Sequence, residues 1–297
     1  MTSTLRVAVA VMVCSILPGC GGAVGSLPQG SNPPSGRNGQ PGQRADRVDP
    51  NACGGYATTD LGKKIKAFLT ATAALDKAVA DARNHVEAAC RDMGRTLGVA
   101  DLSGDTQALC QRVAAALRAS LQAGIRADAH LDIQYKPAVC TVSADATAAA
   151  RAECAGSAQA GAGGGSADAA CASSAEVRAS LAAECTPAEL NVSYGADVVV
   201  DKAKLEAAVA AIRTGLPKLL DVYGRMRTVQ RAAQTWARTA ADLAQSANSF
   251  ARDLGNHALC VSGQLAAAAA AAVRVMASIE ITVSVSVEVS ASAGATL

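Results

Sequence analysis

The chain has 297 residues, enough for one large domain or two small ones, and its basic and acidic side chains nearly cancel to a formal net charge of +2. No block or tail is strongly basic, which excludes the electrostatic footprint of a nucleic-acid binder. Aromatic residues make up only 2% of the chain, too few for surfaces that stack bases or sugars, whereas its abundant alanine favours helix.

The first twenty residues have the three parts of an export signal. Residues 1–6 carry one positive side chain, 7–17 are an unbroken apolar run, and small residues then lead to a cysteine. The run is too short to cross a bilayer, which takes about 20 apolar residues. Leu17-Pro18-Gly19-Cys20 resembles the lipobox of bacterial lipoproteins. That resemblance implies cleavage before Cys20, which makes 1–19 a signal peptide. It also implies a diacylglyceryl thioether on Cys20 and usually a further acyl chain on the new N-terminus. One acyl chain holds a protein to a membrane marginally, and two hold it stably. The family's sorting rule keeps proteins with Asp after the cysteine at the inner membrane; Gly21 stands here, which implies the outer membrane. The expected place is therefore the cell envelope, lipid-anchored in the outer membrane and facing the periplasm or the cell surface.

Residues 20–58 read as the lipidated N-terminus and a flexible linker. The stretch 21–55 is rich in Gly, Pro, Ser, Asn and Gln and cannot bury enough surface to fold. As a random coil of about 35 residues its ends would sit about 30–35 Å apart. From 59 to 297 the pattern is that of a helical bundle domain. Ile65, Thr72, Val79, Val86 and Met93 recur every seven residues, with Phe68, Leu75, Ala82, Ala89 and Thr96 as a companion stripe. Together they form an a/d seam. Its many alanines serve as the inside of the bundle; a partly exposed seam would instead recruit a partner helix or a second copy. Gly98 to Gly104 breaks this helix, and a second is expected from about Asp105 to Ala129 with Leu109, Val113, Leu117, Leu121 and Ile125 inward.

Two short segments then echo each other. Leu131-Asp132-Ile133-Gln134-Tyr135 and Leu190-Asn191-Val192-Ser193-Tyr194 both alternate apolar and polar, predicting strands over 131–143 and 190–200. A Cys/Gly-rich insertion at 144–185 separates them, with a Gly-rich stretch at 156–166 and two short helices. No G-K-[ST] follows the glycines, so no phosphate loop is expected. From Asp201 steps of three and four continue to Val275. One straight helix of that length would span about 110 Å. Pro217 is expected to bend it and Gly255-Asn256 to turn it. At the end, Ile279, Ile281, Val283, Val285, Val287 and Val289 alternate with polar residues, which predicts a half-buried strand.

The chain has ten cysteines, of which Cys14 falls in the signal and Cys20 takes lipid. Eight remain, an even number that reads as disulfides in an exported chain. Cys90 and Cys110 lie equally far from the turn between two antiparallel helices, which predicts a bridge. Cys140–Cys185 and Cys154–Cys171 would nest around and within the insertion, and elimination leaves Cys53–Cys260. No C-x-x-C pair occurs, and His85, His130 and His257 cluster neither together nor with cysteines, so no metal site is expected. No catalytic motif lies where its chemistry would need it, and neither an enzymatic activity nor a cofactor is expected.

The mature part is similar to cysteine- and alanine-rich lipoproteins of high-GC Gram-negative bacteria. Ala52-Cys53-Gly54-Gly55 ahead of a long helix carries the likeness, as does Tyr135-Lys136-Pro137-Ala138-Val139-Cys140 before a cysteine-containing insertion. No activity comes with that group, so no functional residue carries over. The expected fold is mainly α: an elongated antiparallel helical bundle with a small β-sheet formed by the two central strands and the C-terminal strand. The expected function is a non-enzymatic scaffold or interaction module. It is held to a membrane through Cys20, with a protein partner or self-association through its helices and no nucleic acid. The alternative is a membrane-perturbing, pore-forming-like protein using the amphipathic C-terminal strand or the 144–185 insertion.

Overall fold

The seven-residue repeat folds as helix α1, Asp60–Thr96. The structure is a computed structural model that describes residues 47–127, 129, 131–158, 165–246 and 250–294, without the side chains of 153–158 and 165–167. The signal peptide, Cys20, most of the expected linker and His130 lie outside the described residues. Of the two predicted stripes on α1, only Thr96 is exposed; the other nine residues are buried. The helix ends where Val99 N–H reaches Gly94 O at 2.9 Å and Gly98 N–H reaches Arg95 O at 3.2 Å. Gly98 takes the positive φ of 71° that this cap demands.

Helix α2, Thr106–Gly124, starts on Asp105, whose side chain accepts the Ala108 N–H at 2.8 Å. It stops short of the expected Ala129. The Gly124 carbonyl instead accepts N–H groups from Val200 at 2.9 Å and Asp201 at 3.3 Å, and Ile125 bridges Val199. A Cβ on Gly124 would stand 2.8 Å from the backbone nitrogen of Leu205, so only glycine permits this crossing.

The echoing segments do pair. Strand β1, Asp132–Lys136, runs antiparallel to β4, Glu189–Ser193, with Ile133 opposite Val192 and Tyr135 opposite Leu190. Strands β2, Cys140–Thr141, and β3, Glu184–Cys185, make a separate two-stranded sheet. Pro137, with no N–H to give, lies between β1 and β2 and interrupts the expected strand. Helices α3, Ala144–Ala158, and α4, Gly165–Leu181, supply the two helices expected of the insertion.

Helix α5, Lys202–Ala244, continues through Pro217. A short helix α6, Phe250–Leu254, and a 3-10 turn over Gly255–His257 follow. Gly255 has φ of 48°, and the turn falls at the expected dipeptide. Beyond it lies helix α7, Ala258–Ser292.

That last helix corrects two expectations. Residues 279–290 are not a strand, and the described strands form two separate sheets rather than one sheet of three segments. The alternation is real in the sequence, but no Gly or Pro separates it from the alanine run at 266–272. A helix already nucleated propagates into it, and packing outweighs β-propensity. The same residues also satisfy a helical spacing: Ile279, Thr282, Val285, Ser286 and Val289 are all buried. Short hydroxyls suit this, because they can bond back to the helix, as Ser286 Oγ does to Thr282 O at 2.8 Å. The fit is imperfect, since the buried hydroxyls of Thr282 and Ser290 have no hydrogen-bond partner among the described residues. Each such group costs about 1–3 kcal/mol.

The described chain divides into two compact units. One comprises residues up to Ala73, Ala150–Glu176 and Gln234–Val273; the other comprises Ala74–Ala149, Val177–Ala233 and Arg274 onward. In the first, Phe68 and Trp236 stack with ring centroids 5.4 Å apart. Trp236 Nε1 donates to Thr72 Oγ1 at 2.7 Å, and that hydroxyl donates to Phe68 O at 2.8 Å. Val48, Cys53 and Tyr56, inside the expected linker, are already buried here. Tyr56 donates its hydroxyl to Pro50 O at 2.9 Å. Burial, and then the charge of Asp49, push its pKa up to about 12. In the second unit, Arg213 donates to Val192 O at 2.8 Å and Asp221 accepts the Ala188 N–H at 2.6 Å, which ties β4 and its approach to α5.

Replacing Ser290 by alanine removes an unpaired buried hydroxyl from a helix and adds helix propensity. We expect urea denaturation to show a gain of about 1 kcal/mol. On the solvent face of a strand the same change would be neutral or unfavourable, so a loss of stability would contradict the helical assignment.

Candidate interaction face

Three of the expected cysteine pairs are joined. Cys53–Cys260, Cys90–Cys110 and Cys140–Cys185 have S–S distances of 2.05, 2.00 and 2.02 Å. Cys171 is also disulfide-bonded, and the side chain of Cys154 lies outside the described set. Their settings differ. Cys90 and Cys110 are fully buried where α1 meets α2, whereas Cys140 and Cys185 face each other across β2 and β3, both half-buried. Attack on a disulfide needs access to sulfur. With graded dithiothreitol and mass mapping of alkylated thiols, Cys140 and Cys185 should be labelled well before Cys90 and Cys110. The reverse order would contradict the burial seen here.

The two described histidines do not form a site. His85 is exposed on α1 and His257 is exposed in the turn before α7. Among the described residues no three His, Cys, Asp or Glu side chains gather as metal ligands would. The electrostatics are those of helix surfaces. Asp92 is held below the ordinary carboxylate range, first by its hydrogen bond from Lys218 Nζ, at 2.7 Å. Asp101 is lowered by the Ser103 hydroxyl and N–H.

The feature that departs from an ordinary solvated surface is the outer side of α7. Its inner seam, through Val261, Ala268, Val275, Thr282 and Val289, is buried. A second repeat of threes and fours runs along the exposed side. Leu259, Ala266, Val273, Glu280 and Val287 alternate with Gly263, Ala270, Ala277, Ser284 and Ala291, and all ten are exposed. Leu259, Val273 and Val287 are 78%, 68% and 43% exposed. A surface helix is normally charged on its outer face. The other long helices obey: α1 shows Lys77, Asp81, Arg83 and Arg95, and α5 shows Lys202, Lys204, Arg227 and Arg231. On α7 the exposed charges are Arg274, paired with Asp76 at 3.2 Å, and Glu280. The start of the face is pinned by the Cys53–Cys260 bond.

Sequence reasoning reached the inner seam as far as Val275 and missed the outer one. The alternation over 279–290 masked it; read at steps of three and four from Leu259, the same residues show a second seam whose one charge is Glu280. No protein-family model, no curated protein and no solved structure matches this chain.

Proposed function

We propose that the chain is a membrane-anchored envelope lipoprotein that acts as a non-enzymatic scaffold or interaction module. Leu17-Pro18-Gly19-Cys20 supports the anchor, on the outer membrane facing the periplasm or the cell surface. Disulfides suit that oxidising compartment. The observation that carries the interaction half is the outer face of α7, whose ten exposed positions carry a single charge, Glu280.

Cys20→Ala is expected to move the protein from the membrane to the soluble fraction of the envelope, and to abolish labelling by a fatty-acid precursor. Retention of the variant through a carbonate wash would count against the lipid anchor. A second reading, membrane perturbation, is favoured by one observation. The helical stretch Phe250–Ser292, most of it α7, is long and apolar enough by length and composition to cross a membrane, and 39% of its most apolar window is buried. That reading now rests on a helix and no longer on a C-terminal strand. Release of dye from loaded vesicles at micromolar protein would favour it over the scaffold; intact vesicles would end it.

A further inference from the structure

We propose that the outer face of α7 is occupied by the same face of a second copy of this chain, running antiparallel. This rests on the interaction-module reading and names its partner. The argument begins with size. The two interleaved series on the face differ: one holds every large residue, Leu259, Val273 and Val287, and the other holds only Gly, Ala and Ser. When two such helices pack antiparallel, each series meets the other, so large always meets small. When they pack parallel, each series meets itself. Valine then crowds valine, and small residues face one another across voids that cost packing energy.

Register follows from the ends. With Val273 of one copy opposite Ala277 of the second, Leu259 falls opposite Ala291 and Val287 opposite Gly263. All three knobs then have a hole, and the pairing uses the whole length of the face. The arrangement is isologous, which closes at two copies.

Charge selects the same orientation. Glu280 is the one charged residue on the seam. Parallel packing sets it against Glu280 of the second copy. Antiparallel packing sets it against Ala270 of that copy and keeps the two Glu280 side chains ten residues of helix, about 15 Å, apart. A bilayer does not fit the face as well. A helix lying in a membrane surface displays Trp or Phe on its apolar side and Lys or Arg on its polar side, and α7 has Arg274 as its only basic residue and no aromatic one.

Sedimentation of the purified full chain over about 1 to 100 µM tests the pairing. We expect a reversible dimer. Ala277→Glu should weaken it about tenfold or more by placing charge in the seam. Ala88→Glu, at an exposed position on α1, should leave it unchanged. Ala270→Lys distinguishes orientation: opposite Glu280 it should tighten the dimer by about twofold or more at low salt, and the gain should vanish at high salt. All three positions are exposed, and circular dichroism checks that each variant folds. A chain that stays monomeric throughout would overturn the proposal, as would weakening by Ala270→Lys. A photo-crosslinker at Val273 separates the alternatives. Adducts to residues near 277 of a second copy support the proposal. Adducts only to lipid, or only to a different protein, overturn it; the latter would leave the interaction-module reading standing.

Discussion

Burial of apolar residues at steps of three and four is the constraint on which the rest of this structure depends. The chain has few aromatic residues and much alanine. Little transfer energy is available per side chain, so stability must come from close helix approach along long seams. Gly124 beside Leu205 and the nine buried positions of α1 are consequences of that requirement. So are the cystines, which restrict the unfolded chain. The long helices that result satisfy their own backbone groups and leave most of the charged side chains in solvent, while the described buried polar residues are short Ser and Thr hydroxyls and Gln264.

The outer face of α7 stands apart because it meets the same spacing without a neighbour among the described residues. Charged residues guard the exposed sides of α1 and α5, where they keep those helices soluble and unpaired. On α7 alanine, glycine and serine take their place, and valine or leucine recurs every fourteen residues. Such a surface is costly in a solitary protein and useful in one that binds. An N-terminal lipid would add a second effect. Confining chains to a membrane raises their effective concentration, so a weak face can suffice. Anchor and face would then act together, one gathering copies and the other orienting them.

Much of the fold was legible in the sequence. The stripes of α1 and α2, the pairing of the 131–143 and 190–200 segments, and the Cys90–Cys110 and Cys140–Cys185 bridges follow from spacing, because each depends on local periodicity or on symmetry about a turn or an insertion; Cys53–Cys260 is reached only by elimination. The misses share a cause, which is competition that a local window does not contain. The phase of α5 slips, so that Gln230 is exposed while Thr235 and Trp236 are buried. Alternating residues at 279–290 encode both a strand and a helical seam, and the helix already running through 266–272 decides between them. Ile125 leaves α2 because the chain entering α5 bonds to Gly124. The outer seam was hidden by the same alternation, since one pattern of β-branched residues was read at the wrong period.

The most direct measurement of the central claim is the distance between spin labels placed at Val273, and separately at Val287, in the full chain. In the antiparallel pair the Val273 labels sit nearly side by side. The Val287 labels are separated by twenty-four residues of helix, about 36 Å. A short distance at Val273 with a long one at Val287 is the expected result. Two short distances, or no dipolar coupling at either position up to high concentration, would contradict it.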